Sequence, residues 1–469
     1  MRAFNAIVKL TLQNAIRSHI FQLLLLVLAI CAIGIPLTVA GDGTASGFVQ
    51  VALLYSFSGV SAILALSSLW VSCFIMTQDI DSYQLHMVIT KPVSRLTVWT
   101  AKFTGVLLMH TFLLIVSAFA IYFIIIGQFA SQDFSKEERD KLENEVLVGR
   151  RVFNFAPPNI EERSKALLRE RLEKVAQTGE RISITSQNEK DILNEMRKLA
   201  IAENAQAKYD EIHEWRFENF PVNAKDRQAL FLRYRTYVGK VSTKDQRMTT
   251  GIWYIGVPQF ERDSKGNIVD ESKYQIRYYQ YPPSTIRSGE FDEIVLPKQM
   301  NVVTPDGKVF LAYRNMDPER QTQYFQPSDG PKVLMKVTGF LSNYMRAVAV
   351  IFLELVILTG LGCAFAGVLS LPTAIFMSVA YLFFGSFASY LAESAADDKM
   401  FKLLSDVLLF FVIPLQKFGV TDMVSQGELI EFGFMGSLFL FYFIFRTLPL
   451  VLIGMYIYKR REIGLVVRK

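Results

Sequence analysis

Long stretches with almost no charged residues constrain this chain more than any other feature. They cover residues 20–77, 103–128, 347–393 and 434–458, and a charge-rich region, residues 134–340, separates the second from the third. Only 20% of the 469 residues are charged, against about 25% in an ordinary soluble domain. The pattern excludes a single soluble globule and a disordered chain, and it predicts a polytopic membrane protein that carries one large soluble insert.

Six apolar segments are long enough to cross a bilayer, which takes about 20 residues. They are residues 20–40, 52–77, 103–127, 347–368, 371–393 and 434–458. We therefore predict an α-helical polytopic membrane protein with six transmembrane helices, three in residues 20–127 and three in residues 341–458. Segment 400–418 contains Asp406 and Pro414 and has only a short uninterrupted apolar stretch. It is therefore predicted to be re-entrant or interfacial.

The distribution of basic residues predicts the orientation of the spans, because Lys and Arg are enriched in short cytoplasmic loops. With six spans, the N-terminus, the loop 78–102 and the tail 459–469 share one side, and each of them is basic. Both termini are therefore expected in the cytoplasm, and the insert, residues 128–340, is expected to be extracytoplasmic. The net charge of +6 lies largely beside the spans, so we expect the lipid bilayer, and no nucleic acid, as a partner.

Residues 1–19 have the pattern of an amphipathic helix. Phe4, Ile7 and Leu12 fall on one face, whereas Lys9 and Arg17 fall on the other. Such a helix is expected to lie in the plane of the membrane interface, before the first span. The alternative is a simple extension of that span.

The extracytoplasmic insert is predicted to be α+β, with two parts. Residues 134–217 resemble a charged helical arm, which opens with a capping box between Ser135 and Glu138. Residues 227–340 contain short β-branched and aromatic runs separated by turn residues such as Asp306-Gly307, a pattern typical of an antiparallel β-sandwich. Its aromatic residues are expected in the core, and the alternative is a sugar-stacking platform. These aromatic residues are Trp253, Tyr254, Tyr278, Tyr279 and Tyr281.

Motifs for catalysis and for metal binding are missing from the sequence. There is no P-loop, because Gly239-Lys240-Val241-Ser242 lacks a preceding glycine-rich loop. His213-Glu214 is followed at position 217 by Phe instead of the second His of a zincin. The three cysteines all lie in apolar segments, which argues against disulfides and a Cys metal site. We therefore expect no catalytic residues, no metal and no cofactor in this chain.

Two ionisable residues within the predicted spans stand out, because such groups are costly in a membrane and often functional. Glu354 lies in the fourth span and Arg446 in the sixth. At 1.5 Å per residue the two lie at similar depth, so we predict that they pair. The pair would either clamp the helices together or line a substrate path.

The loop 78–102 is the most informative piece of the sequence. Asp79 and Asp81 suit the first turn of a short helix. Leu85 and Val88 give this helix an apolar face, and Pro92 ends it. An amphipathic helix at the cytoplasmic surface suits a groove of a partner protein. The alternative is a helix that only rests on lipid.

The layout of this loop resembles the ABC-2 type transporter permeases, particularly the NosY-like group, in which an acidic start is followed by a P-x-S-R turn and a Gly-Lys before the third span. The matching residues here are Asp79, Asp81, Pro92, Ser94, Arg95 and Lys102. Ala101 stands in place of the family's usual glycine, and Asp in place of its usual glutamate. Further likenesses are the segment 413–418 and the run 459–462, and the resemblance covers roughly residues 1–127 and 345–469.

The resemblance implies a permease subunit that assembles as a homo- or heterodimer with two cytoplasmic ATP-binding subunits. It implies that the loop is a coupling helix that docks on the ATPase, and that ATP hydrolysis drives transport, usually export, from the plasma membrane (the inner membrane of a bacterium). The residues implied in coupling are Asp79, Asp81, Leu85, Val88, Pro92, Ser94, Arg95 and Lys102. The chain itself would not be an enzyme, and the insert would be free to recruit an extracytoplasmic protein.

Two other interpretations stay open at the level of sequence. The first is a membrane-anchored extracytoplasmic binding or sensing protein, with the insert as its functional part. The second is an intramembrane enzyme, for which Glu354, His110 and Arg446 are the available groups. The coupling-like loop favours the permease, because a pure anchor needs no docking helix in the cytoplasm.

Overall fold

The computed structural model describes most of the chain and divides it into two compact units. The first unit is Met1–Gly149 together with Thr338–Lys469, and the second is Arg150–Val337. The described residues are 2–39, 44–81, 93–131, 134–156, 159–178, 186–221, 229–239, 247–260, 273–297, 299–326, 329–394, 400, 403–404, 406–407 and 412–460.

The first unit is helical. Its helices are α1 (Arg2–Arg17), α2 (His19–Ala29), α3 (Ile35–Thr38), α4 (Ala45–Asp81), α5 (Arg95–Ser131), α6 (Lys136–Glu145), α9 (Phe340–Val368), α10 (Leu371–Ser394), α11 (Thr421–Ser425), α12 (Phe432–Ser437) and α13 (Leu448–Arg460). Two π-helical segments, Ile30–Gly34 and Leu438–Thr447, join α2 to α3 and α12 to α13. A short 3₁₀ helix spans Leu415–Phe418.

Five helices among the described residues are long and apolar enough to cross a membrane. They are Phe21–Thr38, Ala45–Gln78, Arg95–Phe129, Phe340–Val368 and Phe432–Arg460. The predicted span 371–393 falls on α10, of which Leu371–Gly385 is a shorter apolar helix. The described residues of segment 400–418 form no span-length helix. The structure is therefore that of a helical protein suited to a membrane.

Helix α9 lies at the centre of the span bundle. In its apolar window 72% of the residues are buried within the chain, against 22% in the first and last spans. Gly362 permits part of this packing, because a Cβ atom there would lie 2.9 Å from the Leu69 carbonyl oxygen of α4. Small residues allow such close approach between helices in membranes.

The N-terminal amphipathic helix is present as α1, and it ends two residues earlier than predicted. Ser18 terminates it, because the Ser18 hydroxyl accepts a hydrogen bond from the Phe21 amide and so caps the next helix, α2. Thr11 and Ala15 are buried, and Ala15 packs in a cluster with Val106 of α5. Helix α1 thus contacts the spans along one face.

The described residues of the second unit form three sheets and two helices, α7 (Ile160–Thr178) and α8 (Ser186–Asn204), and the strand pairs of known register are antiparallel. The strands run β1 (Val148–Asn154), β2 (Gln206–Ala207), β3 (Ile212–Phe217), β4 (Leu230–Arg235), β5 (Tyr237–Val238), β6 (Met248–Phe260), β7 (Tyr274–Gln280), β8 (Ser284–Arg287), β9 (Phe291–Leu296), β10 (Val309–Asn315), β11 (Gln323–Tyr324) and β12 (Lys332–Gly339). The sheet orders are β1-β12-β4-β9, β3-β10-β6-β7 with β8 beside β6, and β2-β11-β5.

The β-rich runs predicted within 227–340 coincide with strands, whereas the prediction of helix throughout 134–217 is wrong in three places. β1, β2 and β3 lie inside that range. Val148, Val152 and Phe153 favour a strand, and Ile212 to Phe217 alternate in burial, a period-two pattern hidden by the flanking helices. Helix α6, with the predicted capping box of Ser135 and Glu138 in place, belongs to the first unit.

One apolar cluster joins the two larger sheets of the second unit. It contains Trp253 and Tyr313 from one sheet and Leu232 and Val333 from the other. Trp253 is only 1% exposed and packs edge-on against Tyr234. Trp253 is therefore a core residue and not part of an exposed platform.

Candidate functional site

The first turns of α5, which begins at Arg95, are joined by hydrogen bonds to three other helices. Ser94 caps α5 by accepting a hydrogen bond from the Thr97 amide at 3.1 Å. The Arg95 guanidinium then donates to the Lys459 carbonyl oxygen, 3.2 Å away, near the end of the last span. A carbonyl at a helix C-terminus is a favourable partner for a cation. Arg95 therefore links the start of α5 to the end of α13.

Two buried side chains add the other links. The Trp99 indole donates from Nε1 to the Cys363 carbonyl oxygen of α9 at 3.3 Å. The Lys102 ammonium donates from Nζ to the Ile75 carbonyl oxygen of α4 at 2.7 Å. Trp99 is 2% exposed and Lys102 is 4% exposed. The start of α5 is thus hydrogen-bonded to α4, α9 and α13.

The remaining predicted coupling residues are placed only in part. Asp79 and Asp81 lie in the last turn of α4, which continues to Asp81, so the prediction that they open a new helix is wrong. Hydropathy ends the span near residue 77, but backbone hydrogen bonding continues through the polar residues that follow. Leu85, Val88 and Pro92 lie outside the described residues.

The predicted ion pair between Glu354 and Arg446 is not formed. The Glu354 carboxylate, 8% exposed, accepts a hydrogen bond from the Ser61 hydroxyl of α4 at 3.4 Å. The Arg446 guanidinium donates to the Val412 carbonyl oxygen at 3.3 Å and lies over the Tyr442 ring. A similar depth along the membrane normal, inferred from residue counts, does not fix the rotation of either helix about its own axis.

Arg446 instead supports an irregular stretch of backbone. The Ile413 amide, next to Val412, donates to the Tyr381 hydroxyl of α10 at 3.0 Å. Ile413 is fully buried, and a Cβ atom at Gly385 would lie 2.7 Å from its carbonyl oxygen. Non-helical backbone inside a membrane protein needs such partners, because no bulk water reaches it. Arg446 therefore helps to hold segment 412–418 in place through the Val412 carbonyl oxygen.

Segment 428–430 is held to α9 in a similar way. The Asn343 side chain accepts from the Ile430 amide at 2.9 Å and donates to the Glu428 carbonyl oxygen at 2.7 Å. The Arg346 guanidinium donates to the Ile430 carbonyl oxygen at 3.0 Å. The Asn343 side chain thus satisfies one amide and one carbonyl group of this extended segment. The sequence offered one signal, the polar residues Asn343 and Arg346 just before the apolar segment 347–368.

His110 and Glu354 have separate partners. His110 is fully buried, with its Nε2 3.2 Å from the Ser67 hydroxyl and its Nδ1 2.9 Å from the Val106 carbonyl oxygen. Glu354 contacts Ser61. None of the three groups that an intramembrane enzyme would use contacts another, so the described residues provide no catalytic pair for that interpretation.

The second unit contains a cleft of two adjoining cavities. The first, about 400 Å³, is mainly apolar and includes Phe155, Trp215 and Phe325 in its wall. The second, about 340 Å³, is polar, and it shares Ile160 and Asn204 with the first. A cavity that combines an apolar wall with a few polar groups is a candidate binding site. Burial lowers the pKa of His213, which lies in the polar cavity with its ring 4.3 Å from that of Trp215.

A buried charge cluster lies elsewhere in the second unit. The Glu293 carboxylate receives hydrogen bonds from Arg150, at 2.7 Å, and from Arg233. Burial raises the pKa of Glu293, but the charges of Arg233 and Arg150 outweigh this effect, so the pKa lies below its usual range. The three side chains are nearly inaccessible, which makes the cluster part of the architecture and not an open site.

Comparisons of this chain with protein-family models, with curated proteins and with solved structures found no match. Among the described residues, no group of His, Cys, Asp and Glu side chains is placed to hold a metal ion. The candidate site is therefore identified from the geometry alone. It consists of Arg95, Trp99 and Lys102 in the first turns of α5, which are hydrogen-bonded to three other helices.

Proposed function

We propose that this chain is the transmembrane permease subunit of an ABC-2 type transporter, an exporter powered by a separate ATP-binding subunit. The observation that carries the proposal is the set of links from Arg95, Trp99 and Lys102 to three other helices. A docked ATPase that pushed on the loop would move the first turn of α5. Because α5 has 37 residues, it forms a lever about 55 Å long.

The proposal includes a topology of six spans. Helix α10 has 24 residues, or about 36 Å, so it reaches across a hydrocarbon core of about 30 Å. With α10 counted, both termini lie in the cytoplasm and the second unit lies outside. We further propose that the two larger sheets of that unit form a β-sandwich, because their apolar side chains share one cluster.

The test is to isolate the tagged full-length chain from its own cells under mild conditions and identify what co-elutes. A stoichiometric protein with a nucleotide-binding P-loop is expected. Charge reversal at the start of α5, Arg95→Glu, and at the end of α4, Asp79→Lys, is expected to remove it. The matched control is Lys417→Glu, a charge reversal at an exposed position of the 3₁₀ helix, which is expected to retain the ATPase.

The second candidate function is a membrane-anchored extracytoplasmic binding protein, favoured by the cleft of the second unit. It predicts a different result from the same experiment. A stable extracytoplasmic partner without any ATPase would contradict the permease and support the anchor. Loss of the ATPase in Lys417→Glu as well would contradict the assignment of the coupling role to α5.

A further inference from the structure

A cavity of about 580 Å³ lies where α1 turns into the first span. Residues of α1, α2, α4 and α5 form its wall, all of them in the first unit. Ser18 fixes the turn between the helices, since its hydroxyl donates to the Ala15 carbonyl oxygen at 2.6 Å and accepts from the Phe21 amide. As a result, Arg17 at the end of α1 and His19 at the start of α2 both contribute to the same cavity.

Among the described side chains of this cavity wall, the charged one is the cation Arg17. Arg17 and His19 are both exposed in the wall, and Asn14 adds a polar side chain. No Asp or Glu belongs to the wall among the residues whose side chains the structure describes. Guanidinium groups bind phosphate with two parallel hydrogen bonds. The polar end of the cavity therefore suits a phosphate group.

The rest of the wall is mainly apolar, and Gln78 near the end of α4 adds one further amide side chain. Phe21 of α2 and Val71 and Phe74 of α4 line it, and Met109 of α5 closes it. Because α2 leads into a span, the polar end lies at the level of the membrane interface and the apolar end points along the spans. A free phosphate would leave the apolar wall without a partner, whereas a phospholipid fills both ends.

We propose that this cavity binds one anionic phospholipid, with its phosphate against Arg17 and His19 and an acyl chain along Phe21 and Phe74. This site is independent of the transport function proposed above. The proposed topology only adds that the lipid belongs to the cytoplasmic leaflet, where anionic lipids attract basic residues.

The experiment measures lipid binding to the purified full-length chain by native mass spectrometry, with dioleoyl phosphatidylglycerol and dioleoyl phosphatidylcholine as probes. One phosphatidylglycerol is expected to bind about fivefold more tightly than phosphatidylcholine, the ratio that one basic contact provides. Arg17→Gln is expected to abolish this preference, and Arg17→Lys to retain part of it. The matched control Lys9→Gln removes a charge from the same helix outside the cavity and is expected to keep the preference.

Three outcomes would overturn the proposal. Equal binding of the two lipids by the unaltered chain would show that the cavity does not distinguish their head groups. An equal loss in Lys9→Gln and Arg17→Gln would indicate general attraction to the membrane surface. Displacement of the lipid by millimolar glycerol 3-phosphate would identify a site for free phosphates. Arg17→Lys guards against misfolding, because a folding defect would not follow the charge at position 17.

Discussion

The two units of this protein accommodate buried charge in different ways. In the second unit, Glu293 is neutralised by Arg150 and Arg233. In the span bundle, Lys102 and Arg446 donate to backbone carbonyl oxygens of other segments, and Glu354 accepts from a serine hydroxyl. In the β-rich unit the buried charges thus neutralise one another, whereas in the span bundle the long cationic side chains connect separate segments of backbone.

The difference has a physical origin. A buried ion loses hydration, and an opposite charge is the usual compensation. Within a membrane, irregular backbone has an energetic cost of its own. Each unpaired carbonyl or amide group costs several kcal/mol in hydrocarbon, and measurements on protein variants give about 1–3 kcal/mol for a buried unpaired group. A cation that reaches such a carbonyl satisfies two needs at once. The comparison predicts that removing a charge has unequal effects in the two units.

The largest effect is expected for Glu293→Gln. The amide leaves Arg150 and Arg233 buried beside a neutral group, and breaking a buried pair in this way costs about 3–5 kcal/mol. The measurement is hydrogen exchange of peptides from β4 and β9, which pair around this cluster. The control, Glu290→Gln, alters an exposed carboxylate beside Arg287 and is expected to leave exchange unchanged. Equal increases in exchange for Glu293→Gln and Glu290→Gln would show that burial of the carboxylate does not determine the effect.

The same cluster predicts acid sensitivity. The folded pKa of Glu293 lies below its unfolded value, so its stabilising contribution is complete above the unfolded pKa, about 4.3. That contribution is lost as pH falls through the lower, folded pKa. The protection of β4 and β9 amides, that is, their exchange relative to the intrinsic rate at each pH, is therefore expected to fall on acidification from pH 5 in the unaltered chain, and Glu293→Gln is expected to flatten that part of the profile.

The next largest effect is expected for Arg446→Leu. It leaves the Val412 carbonyl oxygen without its donor and is expected to cost about 1–3 kcal/mol. Tyr381→Phe removes the acceptor for the neighbouring Ile413 amide. Because both side chains hold one short segment, the double variant is expected to cost less than the sum of the single variants. Thermal unfolding of the purified protein measures this, and strict additivity would argue that the two contacts are independent.

Hydropathy and turn residues predicted most of the fold, because both act locally. Five of the six predicted spans coincide with helices among the described residues that are long and apolar enough to cross a membrane. Asp306-Gly307 marked a turn in which Gly307 has a positive φ of 72°. The ends of α4 were missed, since a helix continues as long as backbone hydrogen bonds form, even through Asp79 and Asp81. Strand β1 was missed because it stands between two helical, charged segments.

The candidate site was predicted only in outline. Arg95 and Lys102 were singled out by the resemblance to the ABC-2 type permeases, but their partners, the carbonyls of Lys459 and Ile75, lie on distant segments. Spacing along the chain carries no information on which carbonyl a long side chain reaches. Trp99 was not singled out, although an indole in the first turns of a span needs a hydrogen-bond acceptor when it is buried.

A smaller effect is expected for Trp99→Phe, which removes one donor to α9. Phenylalanine keeps the stacking on Phe103, whose ring lies 5.7 Å away, and the loss of one hydrogen bond is expected to cost about 0.5–1.5 kcal/mol. Trp70→Phe is the matched control, because Trp70 is 52% exposed on α4. Thermal unfolding of the two variants checks this. A greater loss in Trp70→Phe would mean that the indole bond to Cys363 contributes little.

The smallest effect, and the sharpest test of the comparison, is expected for Glu354→Gln. This is the substitution that is costly at position 293, made at a carboxyl whose partner is the neutral Ser61 hydroxyl. The amide oxygen still accepts that hydrogen bond, and no cation is left unpaired, so the change in stability is expected to stay within about 1 kcal/mol. A loss as large as that of Glu293→Gln would reveal a charged partner for Glu354. Comparing Glu354→Gln, Arg446→Leu and the variant that carries both changes would then show whether that partner is Arg446. Nearly unchanged thermal unfolding would establish that buried carboxyls in the two units are stabilised by different means.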